Sequence, residues 1–354
     1  MQRPITVGKG RYTLLQRINS GSFGDVFLGK DNLSDEKIAV KLEHQCIKHP
    51  QLAYECMVYR ALTGGEGIPL VRHFSVEGLY RAMVLDLLGY NLEELFVFCN
   101  HRFSVPTTFA LGKLMLARLQ FLHQKGFIHR DVKPTNFMMG TGADSDCLYL
   151  VDYGLSKRYI DKRTGQHIPL KHGREPIGTM RYASLNMHRG TEQSRRDDLE
   201  SLAYSMIYLL KGKLPWQNQN HLKDKKARDR LIVDIKSNLQ IDKLCEFLPP
   251  QMHLFLIYTR SLGFDAEPNY DYIRSLFNLV LQSGSARYDW IELHSPPTQT
   301  APSSTPTRDP DPAAMNKQST EDREQDEDCD NHGETKSQDE FTPGLNAIDQ
   351  LFET

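Results

Sequence analysis

The stretch that most constrains this chain is His129-Arg130-Asp131-Val132-Lys133-Pro134-Thr135-Asn136, followed sixteen positions after Asn136 by Asp152-Tyr153-Gly154. Each polar cluster follows an apolar run: Phe127-Ile128 before the first, and Tyr149-Leu150-Val151 before the second. A fold that buries both runs leaves the clusters as polar turns at the ends of buried segments. Together the turns offer two carboxylates, an amide and a lysine, a set suited to phosphoryl transfer. Asp152 and Asn136 are hard oxygen ligands for Mg2+. Asp131 can orient an attacking hydroxyl and accept its proton, and Lys133 can neutralise charge on the transferred phosphoryl group. A chance solvated loop rarely carries both clusters in this order and spacing.

Two weaker signals lie upstream. Asn19-Ser20-Gly21-Ser22-Phe23-Gly24 sits between β-type runs that end at Ile18 and resume at Asp25-Val26. Glycines in such a hairpin let backbone N–H groups approach phosphate oxygens, although ordinary turns favour the same residues. No helix follows, so this is neither a dinucleotide-fold turn nor a Walker loop. Ile38-Ala39-Val40-Lys41 ends an apolar strand on a lysine that either snorkels or grips nucleotide phosphates. Glu55, in the helical segment Gln51–Ala61, can pair with it; taken alone it reads as a surface helix charge.

Hydrophobic residues make up 39 % of the 354, enough for a sizeable core, and 25 % are charged. From Tyr12 to about Leu88, β-type runs dominate: Tyr12–Ile18, Gly24–Lys30, Ile38–Leu42, Ile68–Val76 and Ala82–Leu87. After Leu92, apolar positions fall at helix spacing in Leu92–Cys99, Thr108–Gln124, Arg196–Lys211, Ala227–Ser237, Pro250–Leu262 and Tyr270–Gln282. A small strand-rich lobe followed by a larger helix-rich lobe is an α+β arrangement. No internal repeat is visible.

No apolar run reaches the ~20 residues of a membrane span. The N-terminal MQRPITVGKG lacks an apolar core, so no secretory leader is expected. Gln2 and the C-terminal Leu351-Phe352-Glu353-Thr354 do not fit lipidation signals, so no membrane anchor is expected. The six cysteines show no paired CxxC spacing and fit reduced thiols. A cytoplasmic or nuclear location, or both, is expected; Lys223-Asp224-Lys225-Lys226 is a weak import candidate.

Net charge is −2, but residues 295–354 hold 4 Lys and Arg against 14 Asp and Glu, a net of −10, which leaves +8 on residues 1–294. The basic body favours acidic or phosphorylated partners, its own tail among them, unless the tail only solubilises. Six prolines fall in 296–312 and 321–340 is mostly charged, so 295–340 reads as disordered. Leu345, Ile348 and Phe352 form a short stripe that fits a docking helix.

With glycine loop, strand lysine, helix glutamate, His-Arg-Asp loop and Asp-x-Gly turn in order, the chain resembles the eukaryotic protein kinases. Lys133 in His-Arg-Asp-Val-Lys-Pro-x-Asn is similar to the Ser/Thr kinases. A finer resemblance, to the casein kinase 1 family, rests on Gly178-Thr179-Met180-Arg181-Tyr182-Ala183-Ser184-Leu185-Asn186, on Glu192–Leu202, and on Leu214-Pro215-Trp216-Gln217. Leu87-Leu88-Gly89, Leu92–Phe96 and Gln166-His167-Ile168-Pro169 fit it too. The resemblance covers residues 8–294. It implies a two-lobed kinase fold, with an N-lobe at about 8–88, a C-lobe at about 89–294, and the tail outside it.

The resemblance further implies an ATP- and Mg2+-dependent Ser/Thr protein kinase acting on acidic or already phosphorylated proteins. It makes Lys41 and Glu55 an ion pair, Asp131 the base, and Asn136 and Asp152 the metal ligands. The nucleotide site would involve Ile18, Asn19, Ser20, Gly21, Ser22, Phe23, Gly24, Asp25, Val26, Ala39, Lys41, Leu85 at the gatekeeper position, Asp86 and Leu88. Asp198 would brace the catalytic loop from the core. Lys171, Arg174 and Arg181 match the family's basic residues for substrate phosphate; read as residues alone, they are a basic loop able to bind an anion. No nucleic-acid partner is expected, and the chain is expected to act as a monomer.

The sequence also departs from the family pattern. Asn19 replaces a loop glycine, and Asn tolerates positive φ better than most residues. Tyr153 stands for phenylalanine, Thr135 for aspartate, and Ala203 for glycine. A phosphate-pocket lysine aligns on Ala227, with Lys226 and Arg228 beside it. The competing readings are a catalytically inactive scaffold, disfavoured by the intact Lys41, Glu55, Asp131, Asn136 and Asp152, and small-molecule phosphotransfer, disfavoured by the long basic loop.

Overall fold

The computed structural model describes residues 5–21, 24–217, 224–281 and 288–292. The expectations for Ser22, Phe23, Lys223 and the whole of 295–354 lie outside the described residues.

The first lobe is a six-stranded sheet: β1 (Thr6–Val7), β2 (Tyr12–Gly21), β3 (Gly24–Asp31), β4 (Lys37–His44), β5 (Val71–Glu77) and β6 (Tyr80–Asp86), with helix α1 (Leu52–Ala61) between β4 and β5. The strand order is β1-β2-β3-β4-β6-β5, and every pairing is antiparallel. Side-chain alternation then divides β4. Ile38 and Val40 face a cluster with Val7, Tyr12, Leu14, Ala82 and Val84, all buried. Ala39 and Lys41 face the other way, opposite Leu85 and Met83 of β6. Met83 belongs to the large core shared with α1 and the second lobe. One face of the sheet is thus closed by its own core, and the other faces the cleft between lobes.

The second lobe begins with α2 (Leu92–Phe98) and α3 (Val105–Gln124). Asn91 and Glu94 form a reciprocal cap at the start of α2: the Glu94 N–H donates to Asn91 Oδ1 at 2.9 Å and the Asn91 N–H to Glu94 Oε2 at 2.8 Å. Ser104 caps α3, accepting from the Thr107 N–H. Four short strands follow: β7 (Phe127–Ile128), β8 (Phe137–Met139), β9 (Leu148–Leu150) and β10 (Lys157–Arg158). β8 pairs with β9 and β7 with β10, which sets the two polar turns of the sequence side by side. The helices α4 (Leu185–His188), α5 (Arg195–Lys211), α6 (Lys225–Asn238), α7 (Ile241–Leu244), α8 (Pro250–Ser261), α9 (Tyr270–Val280) and α10 (Asp289–Glu292) complete the lobe. Every residue of α5 from Asp197 to Leu210 is buried, so it is the central helix on which α3 and α8 pack. This is the expected α+β division into a β-rich lobe and a larger helical lobe.

Candidate active site

Three charged groups meet across the lobes. Lys41 Nζ, from β4, lies 2.8 Å from Glu55 Oε2 of α1 and 3.2 Å from Asp152 Oδ1, in the turn after β9. Glu55 is 2 % exposed and Asp152 27 %. Burial disfavours the Lys41 ammonium, but the two carboxylates outweigh it and hold its pKa above the ordinary lysine value. One cation facing two anions leaves an excess negative charge, and the partners divide accordingly. Burial raises the Glu55 carboxyl despite Lys41, whereas at the more open Asp152 burial loses to Lys41 and the pKa is lowered. Lys41 therefore stays charged, and Glu55 is the carboxylate more easily protonated. Asp152 itself takes φ +64°. Its N–H donates to the Tyr59 hydroxyl at 3.2 Å, so α1 holds this turn as well as the lysine.

The opposite wall is the loop between β7 and β8. Asp131 Oδ1 accepts the Thr179 N–H at 2.8 Å, and its Oδ2 lies 2.9 Å from Lys133 Nζ. Lys133 also donates to Thr179 Oγ1 at 3.0 Å. Gly178 makes this approach possible: at φ +97°, a Cβ there would lie 2.3 Å from the Arg130 carbonyl. Asn136 spends its amide N–H on the Asp131 carbonyl at 2.9 Å, which leaves its oxygen as the ligating atom. The Val151 N–H donates to the Asn136 carbonyl at 3.0 Å and so ties this loop to the one carrying Asp152. Asp152 spends Oδ1 on Lys41. One amide oxygen and one carboxylate oxygen suit Mg2+, which takes few protein ligands and completes its shell with phosphate and water.

Asp198, at the start of α5, holds the loop from beneath. Its carboxylate accepts the N–H groups of His129 at 2.7 Å and Arg130 at 2.9 Å, and His123 Nε2 lies at 2.8 Å. Arg130 sits at φ +68°, a conformation that these bonds fix. Burial would raise the Asp198 pKa, but His123, His129 and the amide donors outweigh it and lower it. The sequence pointed to Asp198; nothing local marks His123 or Tyr59.

The nucleotide-side residues fall into two groups. Val26 pairs opposite Lys41, Leu28 opposite Ala39, and Ala39 opposite Leu85, so Val26, Ala39, Lys41 and Leu85 share the cleft face. Asn19 and Ser20 pair with Val26 and Asp25, and Gly21 with Gly24 across the hairpin; Ile18 is exposed beside them. Gly24, at φ +114°, passes so close to β4 that a Cβ would lie 2.1 Å from the Leu42 carbonyl. Asp25 and Asp86 fall on the other face by alternation. Asp25 pairs with Arg17 at 3.6 Å; Asp86 accepts from the Leu70 N–H and Arg72 Nε. Leu88 lies in the segment that joins the lobes, next to Gly89, whose N–H donates to the Met139 carbonyl.

The departures have physical accounts. Asn19 lies in extended β2, outside the positive-φ residues, so left-handed tolerance plays no part there. Its side chain instead accepts the Ser20 N–H at 2.8 Å. Tyr153 is fully buried, and its hydroxyl donates to the Leu150 carbonyl at 3.0 Å. Thr135 is exposed and Ala203 packs in the core.

The basic loop is not uniform. Arg174 Nε donates to Glu192 at 2.8 Å, and Lys157 donates to the same carboxylate at 3.0 Å. Lys157 and Arg130, which act on Arg174 and Glu192 electrostatically, were not singled out in the sequence. Lys171 is exposed and gives its carbonyl to the Glu192 N–H. Arg181 lies over the Tyr182 and Tyr208 rings, in different surroundings from Arg174, a separation that spacing along the loop does not reveal. Among the described residues no helix is long and apolar enough to cross a membrane.

The family model for the protein kinase domain matches residues 12–278, about three-quarters of the chain, and spans every group above from the glycine hairpin to α9. The chain therefore belongs to the protein kinase domain family.

Proposed function

We propose that the chain is an ATP-dependent protein kinase of casein kinase 1 type, transferring phosphate to Ser or Thr of acidic or already phosphorylated proteins. One observation carries the reading: Lys41, Glu55 and Asp152 close on one another across the cleft while Asp131 and Lys133 converge on Thr179 beside them. In this reading Lys41, held by Glu55, grips the nucleotide phosphates. Asp131 orients the substrate hydroxyl and takes its proton, and Lys133 offsets charge on the moving phosphoryl group. Asn136 and Asp152 would hold Mg2+, which when bound would neutralise charge at the phosphates.

Arg174 and Lys171, with Lys157 and Arg130 around Glu192, and Arg181 apart from them over the Tyr182 and Tyr208 rings, are the basic groups that would receive substrate phosphate. Glu192 fills the Arg174 side in the free protein. The acidic tail, 295–354, would compete for these groups once phosphorylated, because each phosphate adds about −1.5 to −2 charge. Relief of inhibition by a phosphatase is the mark of that competition.

The test is a panel of neutral, acidic and phosphoserine-primed peptides assayed with γ-labelled ATP, followed by phosphoamino-acid analysis. Label on Ser and Thr, faster turnover of acidic and primed peptides, and a preference reduced in Arg181→Ala more than ATP affinity is reduced, support the reading. Equal turnover of neutral and primed peptides overturns the casein kinase 1 assignment. No transfer to any peptide or protein overturns the activity itself.

A further inference from the structure

Lys236, on α6, has no exposed side-chain surface. Among the described residues no carboxylate lies within ion-pair distance of it. Its Nζ instead meets three neutral acceptors: the Met180 carbonyl at 2.8 Å, the Ala183 carbonyl at 2.7 Å, and His188 Nε2 at 3.0 Å. The Tyr204 and Trp216 rings lie 5.0 and 4.9 Å away. An ammonium has three N–H bonds and fills all three acceptors; a neutral amine has two. His188 suits this, because burial and Lys236 push its pKa down to about 3 and keep the ring neutral, and its Nε2 accepts in the tautomer that carries the proton on Nδ1. Burial opposes the charge and lowers the Lys236 pKa, with Glu200 pulling it back. A packing role alone would be served by Met or Leu without burying a charge.

What Lys236 holds is the backbone immediately after Thr179, the residue whose N–H and hydroxyl contact Asp131 and Lys133. Between its two carbonyl partners lies Arg181, whose own carbonyl accepts from Trp216 Nε1 at 2.7 Å. The carbonyls of Met180, Arg181 and Ala183 are therefore all held by donors from α6 and from Trp216 beside it. A peptide whose hydroxyl reaches Asp131 has to pass this segment.

We propose that Lys236 is a positioning residue for the protein substrate: it fixes residues 179–183 as the shelf on which the acceptor segment docks, at the height set by Asp131. This rests on the kinase reading above. It extends that reading to a group outside the cleft that touches neither nucleotide nor acceptor. The amine nitrogen supplies the hydrogen bonds to both shelf carbonyls, and the ammonium form fills His188 Nε2 as well. Lys236→Met keeps the volume, removes the donors, and leaves two buried carbonyls to rearrange.

The experiment measures initial rates of the full chain on an acidic peptide, on ATP hydrolysis by water, and on ATP titration, in wild type, Lys236→Met and Trp216→Phe, with Tm for each. In Lys236→Met, kcat/KM for the peptide is expected to fall at least about tenfold, while KM for ATP and the rate of hydrolysis by water change less than about threefold. Trp216→Phe, which removes the hydrogen bond to the Arg181 carbonyl and keeps an aromatic ring beside Lys236, is expected to show the same split with a smaller fall, and it decides the matter if Lys236→Met fails to fold. Equal losses in peptide transfer, hydrolysis and ATP affinity would mean a merely structural lysine and overturn the proposal. So would wild-type peptide kinetics in a folded Lys236→Met. A wild type inactive on every peptide would instead overturn the kinase reading, which the hydrolysis arm keeps separate.

Discussion

The cleft is built from two buried carboxylate centres that solve opposite problems. Around Lys41, two acids share one cation across the lobe boundary, and the Asp152 end stays 27 % exposed. Around Asp198, one acid collects two backbone N–H groups and an imidazole within a single lobe, and it is 2 % exposed. The first centre carries excess charge and an open edge, so it can trade protein contacts for those of a charged ligand. The second is saturated and closed, so it can only hold shape. A phosphoryl-transfer site needs both: a charge reservoir that responds to the nucleotide, and a loop that does not move when it does.

Breaking the reservoir is expected to have the largest effect on turnover and little on the fold. Lys41→Met leaves Glu55 and Asp152 without their cation. Glu55, already raised by burial, takes a proton and removes the repulsion. Phosphate transfer is expected to fall by at least about 100-fold, some 2.7 kcal/mol of barrier, while circular dichroism and Tm remain near wild type. A large loss of Tm would show that the reservoir is structural, and the contrast between the centres would fail.

Breaking the closed centre is expected to reverse that ratio. Asp198→Asn offers one accepting oxygen to donors that the carboxylate served with two. It leaves at least one buried N–H unpaired and releases Arg130 from its left-handed conformation. Leaving a buried donor unpaired in this way costs about 1–3 kcal/mol. Denaturant unfolding should record a loss of that order, with activity lost alongside stability. A stable, inactive Asp198→Asn protein would contradict the assignment of the centre to shape.

The smallest effect sharpens the comparison at a third carboxylate. Burial alone would raise the Glu192 pKa, but Lys157 and Arg174 outweigh it and hold it below the ordinary value. A carboxylate depressed in the folded state stabilises the fold above its unfolded pKa of about 4.3, and that stability is lost as pH falls through the lower folded value. Tm of the wild type should therefore drop more steeply below about pH 4.3 than that of Glu192→Gln. Parallel pH profiles would remove Glu192 from the charge balance of the basic loop.

Sequence made some of this legible and not the rest. The five long strands and seven longer helices are readable because each repeats its apolar positions over two or more periods, as Leu92–Phe98 and Tyr270–Val280 do. β1, β7, β10, α4, α7 and α10 have two to four residues and no period to read. α3 begins at Val105 rather than Thr108, because Ser104 caps it and is itself held by Asp289, 185 positions away. The same division runs through the site. Asp131, Lys133, Asn136 and Asp152 stand in short continuous motifs. Tyr59, His123 and Lys236 reach the site only through tertiary contacts and carry no local mark. Strand alternation sets the Asp25 and Asp86 side chains on the face opposite Lys41, a division that the family resemblance alone does not reveal.

The most direct test of the central claim, that an open charge centre drives phosphoryl transfer over a fixed loop, is labelled phosphate incorporation into an acidic protein substrate by wild type and Asp152→Asn at equal folded concentration. The substitution keeps shape and removes the one carboxylate of the reservoir that faces solvent. The account predicts incorporation below about a tenth of wild type, a loss of more than ~1.4 kcal/mol in the barrier, with an unchanged Tm. Retention of more than that tenth by a folded Asp152→Asn protein would contradict it.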